Sequence, residues 1–300
     1  MRYCKLLKED NSKIVPVIRE NFELATNLSK KYYQGNNGNK KPYALCPACD
    51  NPVVIVGFYS KNDEHTKKQT QHARHTKKSL VGFPLYNQQE YDLCPYANPK
   101  SYSKGDYKTT EKDALSREIK SLLIANFDKV VYFLEKEMGI IYSDKDLENM
   151  LENYFSMDGT NYIGATLENY PWTFLYLSLN QRLFGKIFLK DGFMYSRIIR
   201  NCKNITFEAL ATNTYAENKY VKLLTKQFTD ITCSFIGHNS KPQEGEIIER
   251  LKLCIWQDEK LIYTKEITLN NDYFFNIANL DTWKITERGK RHLEIARKFK

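Results

Sequence analysis

Residues 46 to 94 read CPACDNPVVIVGFYSKNDEHTKKQTQHARHTKKSLVGFPLYNQQEYDLC and hold three of the seven cysteines and three of the five histidines. Two thiols separated by two residues share one tight turn and can reach a single ion. Imidazoles and thiols from nearby segments can complete a tetrahedral shell around it. Cys46 and Cys49 form the pair, His72 and His75 follow, and Cys94 closes the set. The expected site is one structural Zn2+ held by Cys46, Cys49, Cys94 and one of His72 and His75, with His75 preferred. His65 reads as a surface histidine. Such an ion constrains the fold more than any other feature, because it lets a loop-rich segment order with little apolar surface of its own.

Other thiol chemistries fit less well. A redox dithiol sits on a strand-to-helix turn, whereas this pair precedes the β-branched run NPVVIVGFY, which reads as a strand. Zinc deaminases use H-x-E followed by P-C-x-x-C. Here the proline lies inside the pair, and His292-Leu-Glu294 is at the far end of the chain. Neither G-x-S-x-G, a P-loop, a dinucleotide-binding glycine pattern nor H-E-x-x-H occurs. A nuclease core of the restriction type needs acids and a lysine converging on Mg2+. Glu249 and Lys252 are three apart in a strand-like run, so they point to opposite faces and read as ordinary solvent and edge residues. No catalytic residue is assigned, and whether the chain is an enzyme stays open.

Residues 44–78, with the run CPACDNPVVIVGFYS…QHARHTKK, resemble the N-terminal zinc-binding module of competence protein CoiA-like proteins. There a C-P-x-C turn leads into a strand and an H-x-x-H pair follows. The resemblance covers about 35 residues of the 300. It implies Cys46, Cys49, His72 and His75 as ligands, a following nuclease-like domain, and a link to the handling of incoming DNA.

Charge points toward a polyanion as well. The net charge is +9, but residues 1–110 carry 18 Lys and Arg against 10 Asp and Glu, residues 111–283 carry 20 against 24, and residues 284–300 carry 7 against 2. The two basic zones are the metal segment and the C-terminal tail, as expected for a nucleic-acid partner. Lys61, Lys67, Lys68, Arg74, Lys77 and Lys78 are the expected phosphate contacts, with Tyr59, Tyr86, Tyr91 and Tyr96 nearby for stacking. The expectation is a zinc-stabilised nucleic-acid-binding protein of a bacterial mobile-element or defence system. The alternatives are an inhibitor or adaptor meeting an acidic protein, and an unrecognised nuclease.

Seven cysteines, an odd number, do not suit a secreted disulfide framework, so Cys4, Cys202, Cys233 and Cys254 read as buried free thiols. MRYCKLLKED has no apolar signal core, and WTFLYLSL at 172–179 is shorter than the roughly 20 residues that span a bilayer. A cytoplasmic protein without membrane contact is expected.

An α+β fold follows from the patterning: a zinc-binding module with its N-terminal extension over 1–105, then a domain over 106–300 that is helical to 230 and strand-rich beyond. A short helix is expected within NFELATNLSKKYY and a long one over 111–138, capped by Thr110 and ended by Gly139. Further helices are expected after Ser143, from Pro171, within NKYVKLLTKQF, and after Thr286 behind a short strand. ITCSFIG, IIERLKLCIW and LIYTKEITL alternate as strands, the last two joined as a hairpin.

Overall fold

The computed structural model describes residues 1–35, 40–59, 70–97, 101–107, 114–210, 219–225, 229–243 and 246–300. Its contacts divide the chain into two compact units, Met1–Pro99 with Thr166–Glu168, and Lys100–Ala165 with Asn169–Lys300. Both helices and antiparallel sheets are present, so the fold is α+β.

The first unit is built from β1 (Tyr3–Lys5), β2 (Ile14–Pro16), α1 (Arg19–Thr26), β3 (Tyr33–Gln34), β4 (Lys41–Leu45), β5 (Pro52–Val56), β6 (His72–His75) and α2 (Gln88–Leu93). Its sheet runs β2-β1-β4-β5-β6, with β3 added to β4. Every pairing in it is antiparallel. Cys4, Val15, Ala44, Val53 and Ile55 of the sheet and Phe22 of α1 are buried in one cluster that also contains Cys46, Cys49 and Cys94. The α1 helix stops earlier than the sequence suggests. Asn27 and Leu28 take φ of 46° and 51°, which turns the chain so that Tyr32 enters the core.

The second unit contains β7 (Ser101–Tyr102), α3 (Ala114–Ala125), α4 (Phe127–Met138), β8 (Ile140–Ile141), α5 (Asp144–Ser156), α6 (Tyr170–Leu177), β9 (Gln181–Arg182), β10 (Ile187–Leu189), α7 (Phe193–Asn201), β11 (Ile205–Ala209), β12 (Tyr220–Thr225), β13 (Ile231–Gln243), β14 (Glu246–Gln257), β15 (Lys260–Thr268), α8 (Asn271–Ala278) and α9 (Glu287–Arg297). One sheet runs β11-β12-β10-β8, and a second runs β15-β14-β13-β7 with β9 also on β13. The apolar run at 172–179 lies largely in α6, whose eight residues are all buried. Among the described residues no helix is long and apolar enough to cross a membrane.

Several elements form for the reasons the residues suggest. Ser143 and Asp146 make a reciprocal capping box at the start of α5. Gly139 ends α4 at φ 69°. Asp258 and Glu259, both at positive φ, make the two-residue turn of the β14–β15 hairpin. Other expectations are corrected. The long helix is two helices, because Asn126 leaves helical geometry at ψ 21° and its side chain bonds Leu122 O at 3.2 Å. Thr110, its expected cap, lies outside the described residues. NKYVKLLTKQF is not a helix: its described part is β12, where Val221 and Leu223 alternate inward and pair with β10 and β11. No strand precedes α9 among residues 282–286.

The basic tail is held by acids of its own unit. Arg288 forks onto Glu135 at 2.5 and 2.7 Å and also bonds Tyr142 O, while Arg291 reaches Asp144 and Lys298 reaches Glu148. Between these contacts lies His292, buried, with its Nε2 3.9 Å from Asp144 Oδ1 and without a hydrogen-bond partner among the described residues. Burial, aided by Arg288 and Arg291 and opposed by Asp144, lowers its pKa to about 4. Unfolding therefore takes up a proton between the ordinary value near 6.5 and about 4. The stability is present above 6.5 and is lost as pH falls through that window, with a slope below the ~1.4 kcal/mol per pH unit of one unscreened proton. Urea unfolding of the wild type and His292→Gln across this window should show the wild type losing stability faster. Parallel curves would remove His292 as the cause.

Candidate metal centre

The cysteine pair occupies the connection between β4 and β5. Asp50 takes φ 53°, and the turn closes through Asp50 N–H to Cys46 O at 3.1 Å and Cys46 N–H to Asn51 O at 2.9 Å. From the adjacent β1, Lys5 Nζ bonds Asp50 Oδ1 at 2.7 Å. Register then decides which histidine arrives. His75 pairs with Val53, beside the turn, whereas His72 pairs with Val56 toward the other end of β5. Residues three apart on a strand also face opposite sides and stand about 10 Å apart.

Cys94 comes from a different element. It follows α2, and its N–H bonds Tyr91 O at 3.1 Å. The helix starts at Asn87, whose side chain accepts from the N–H groups of Gln89 and Glu90. Asn51, 1% exposed, ties this start to the cysteine turn: Asn87 N–H donates to Asn51 Oδ1 at 2.6 Å, and Asn51 Nδ2 donates to Asn87 O at 2.9 Å and to Cys49 Sγ at 3.4 Å.

Cys46, Cys49, Cys94 and His75 therefore converge, with one ligand atom from each lying within 4.8 Å of the others. Cys46 Sγ is 3.6 Å from Cys94 Sγ, and His75 Nε2 is 3.3 Å from Cys49 Sγ and 3.8 Å from Cys94 Sγ. The three cysteines are buried and unbridged. Tyr91 meets the His75 ring edge-to-face at 5.1 Å. Burial holds the Cys46 thiol well above its ordinary range, with contributions from Cys49 and Cys94. Cys49 is drawn far down by hydrogen bonds from Cys46 and Cys94. For Cys94 the bond to Cys46 lowers the pKa, but the bond to Cys49 and burial raise it further. Burial therefore opposes ionisation of all three thiols together, and a bound cation would favour their thiolate forms. This set can hold a metal ion.

His72 is not in the cluster; its Nδ1 lies 2.8 Å from Thr70 O. Lys61, Lys67, Lys68 and His65 lie outside the described residues. Arg74, Lys77 and Lys78 are exposed, and no ion pair joins them to an acid among the described residues. Lys77 Nζ bonds Gln88 Oε1 at 3.2 Å over the Tyr86 ring, and Lys78 lies over the ring of Tyr43.

Sequence reasoning missed Asn51 and Asn87. Their available signals were an asparagine just after the cysteine turn and an asparagine at the cap of QQEYDL. It also misjudged Glu249, which is no solvent residue. Its Oε1 accepts from Asn169 Nδ2 at 2.7 Å and lies 3.2 Å from His238 Nε2, while its Oε2 accepts from Asn271 Nδ2 at 2.5 Å. His238 Nδ1 in turn meets Tyr162 OH at 2.9 Å, at a bulge where Gly237 has φ 64°. Tyr162 and His238 are sealed from solvent, and the network ties the β13–β14 bulge to Asn169 and Asn271. Lys252 is exposed on the opposite face.

Comparison with family models, with curated proteins and with solved structures finds no match. The geometry stands by itself. If Asn51 positions the ligands, Asn51→Ala should weaken metal binding by about 10- to 100-fold in chelator competition, with one ion still bound at saturation. Unchanged affinity would show that the turn and α2 are placed without it.

Proposed function

We propose that Cys46, Cys49, Cys94 and His75 hold one structural Zn2+, and that the unit it organises binds nucleic acid through the basic surface beside the site. The carrying observation is a closed set of four soft or borderline ligands from three separate segments. A tetrahedral zinc with bonds of about 2.3 Å to sulfur and 2.0–2.1 Å to nitrogen implies sulfur–sulfur edges of about 3.8 Å and sulfur–nitrogen edges of about 3.6 Å. The separations of 3.6, 3.3 and 3.8 Å lie close to those edges. With four protein ligands no position is left for a reacting water, which favours a structural role. The reduced thiols it needs fit a cytosolic setting. The C-P-x-C turn leading into a strand also supports a likeness to CoiA-like modules, although Cys94 stands where their pattern would use His72.

Charge supports the second half of the proposal. In the C-terminal zone Arg288, Lys290, Arg291 and Lys298 are paired with acids. Arg74, Lys77 and Lys78 are exposed and have no acidic partner among the described residues, which leaves their charge open to phosphates.

Elemental analysis should find one zinc per chain in the wild type and in His72→Ala, and much less in Cys94→Ser and His75→Ala. Loss of zinc in His72→Ala with retention in His75→Ala would reverse the ligand assignment. Nucleic-acid retention should be strong at low salt and fall steeply as salt rises. A protein that retains no nucleic acid at low salt would remove the binding half of the proposal.

A further inference from the structure

The chain that follows β6 carries a second feature besides its cations. Leu80 is buried against Tyr43 and Val54, and Phe83 packs on the same cluster. Between these anchors Phe83 N–H bonds Leu80 O at 3.3 Å, and Gly82 takes φ 76°, so residues 80–83 form a tight turn. Its tip is then gripped by a side chain from β3: Gln34 Nε2 donates to Val81 O at 2.8 Å, and Val81 N–H donates to Gln34 Oε1 at 2.9 Å. The consequence is a fixed apolar projection. Val81 is 85% exposed and Leu85 80% exposed, close in sequence to the exposed Lys77 and Lys78.

Isolated exposed aliphatic residues need no explanation. Here, however, a two-way amide clasp holds the turn at Val81 while Leu80 and Phe83 are anchored inward, a few residues from cations that have no acidic partner among the described residues. A duplex presents phosphates and hides its base faces, so it would use the lysines and leave Val81 and Leu85 against water or ribose. An unpaired strand offers phosphates and apolar base faces together.

We infer that Arg74, Lys77, Lys78 and the Val81–Leu85 projection form a surface for single-stranded nucleic acid, with cations on phosphates and the aliphatic side chains against bases. This rests on the nucleic-acid reading above and adds the class of strand.

The test is fluorescence anisotropy of the full zinc-loaded chain with a labelled oligonucleotide, single-stranded or annealed to its complement, over a range of salt. Sodium polyglutamate serves as a second polyanion. The single strand should bind at least about tenfold more tightly than the duplex. Val81→Ser with Leu85→Ser should weaken single-strand binding several-fold and leave its salt slope unchanged. Lys77→Gln with Lys78→Gln should lower that slope by roughly 0.7 per lysine. Zinc content and circular dichroism of each variant establish that it is folded, as expected for changes at exposed positions. Duplex bound as tightly as the single strand, polyglutamate competing equally well, or an unchanged affinity in the Val81/Leu85 variant would each overturn the inference. If the first or third occurs while nucleic acid is still bound, the broader proposal survives; if neither form is held at low salt, both fall.

Discussion

Three buried thiols and an imidazole lie within 4.8 Å of one another, and burial opposes the ionisation of all three thiols that a shared metal would require. Cys46 and Cys94 are held toward the neutral form while Cys49 is drawn toward the thiolate, a division that a dication would abolish. The surrounding fold is arranged to keep the groups together in spite of this. The β4–β5 turn presents two sulfurs, β6 brings the imidazole by register, and α2 brings the last sulfur. Asn51 is the joint between these parts, because its one amide spans the cysteine turn and the helix cap. A small sheet with a few large apolar residues gains from such a cross-link, because the ion joins segments up to 48 residues apart in sequence.

How much of this could be read from the chain depended on the range of the deciding interaction. The C-P-A-C turn, the following strand, the Ser143 cap and the three long strands rest on residues a few positions apart, and they are visible in sequence. The choice between His72 and His75 rests on strand pairing, Val53 with His75 and Val56 with His72, which no local pattern displays. Residues 220–225 show the opposite error. Val221 and Leu223 alternate, but Leu224 follows directly, and a short apolar run with lysines fits either period until its sheet neighbours are known. Asn126 is a third kind of case, a single polar residue that interrupts an otherwise sustained helical period by bonding back to the preceding turn.

Charge was legible in amount and not in availability. The sequence shows two basic zones, the C-terminal one the denser, but their environments differ. At the C-terminus, α9 lies against the acids of α4 and α5, and its cations act as fasteners. Glu249 is the acidic counterpart. It looked like one more solvent carboxylate, yet two asparagines and a histidine converge on it, and Lys252 three residues later points away. Net charge over a window therefore overstates the surface field wherever long-range ion pairs exist, and less so where, as at Arg74, Lys77 and Lys78, no acid among the described residues pairs with the cations.

The metal set and the basic surface also meet mechanically. Lys77 is anchored to Gln88, in the first turn of α2, and lies over Tyr86, whose ring packs against Tyr91 at 5.6 Å; Tyr91 in turn abuts the His75 ring. The far end of α2 carries Cys94, so one short helix holds a cation of the surface at its start and a ligand of the cluster at its end. A helix of six residues is too short to be stable by itself and takes its position from what it is tied to. An ion that held Cys94 would steady the same short helix from which Gln88 contacts Lys77.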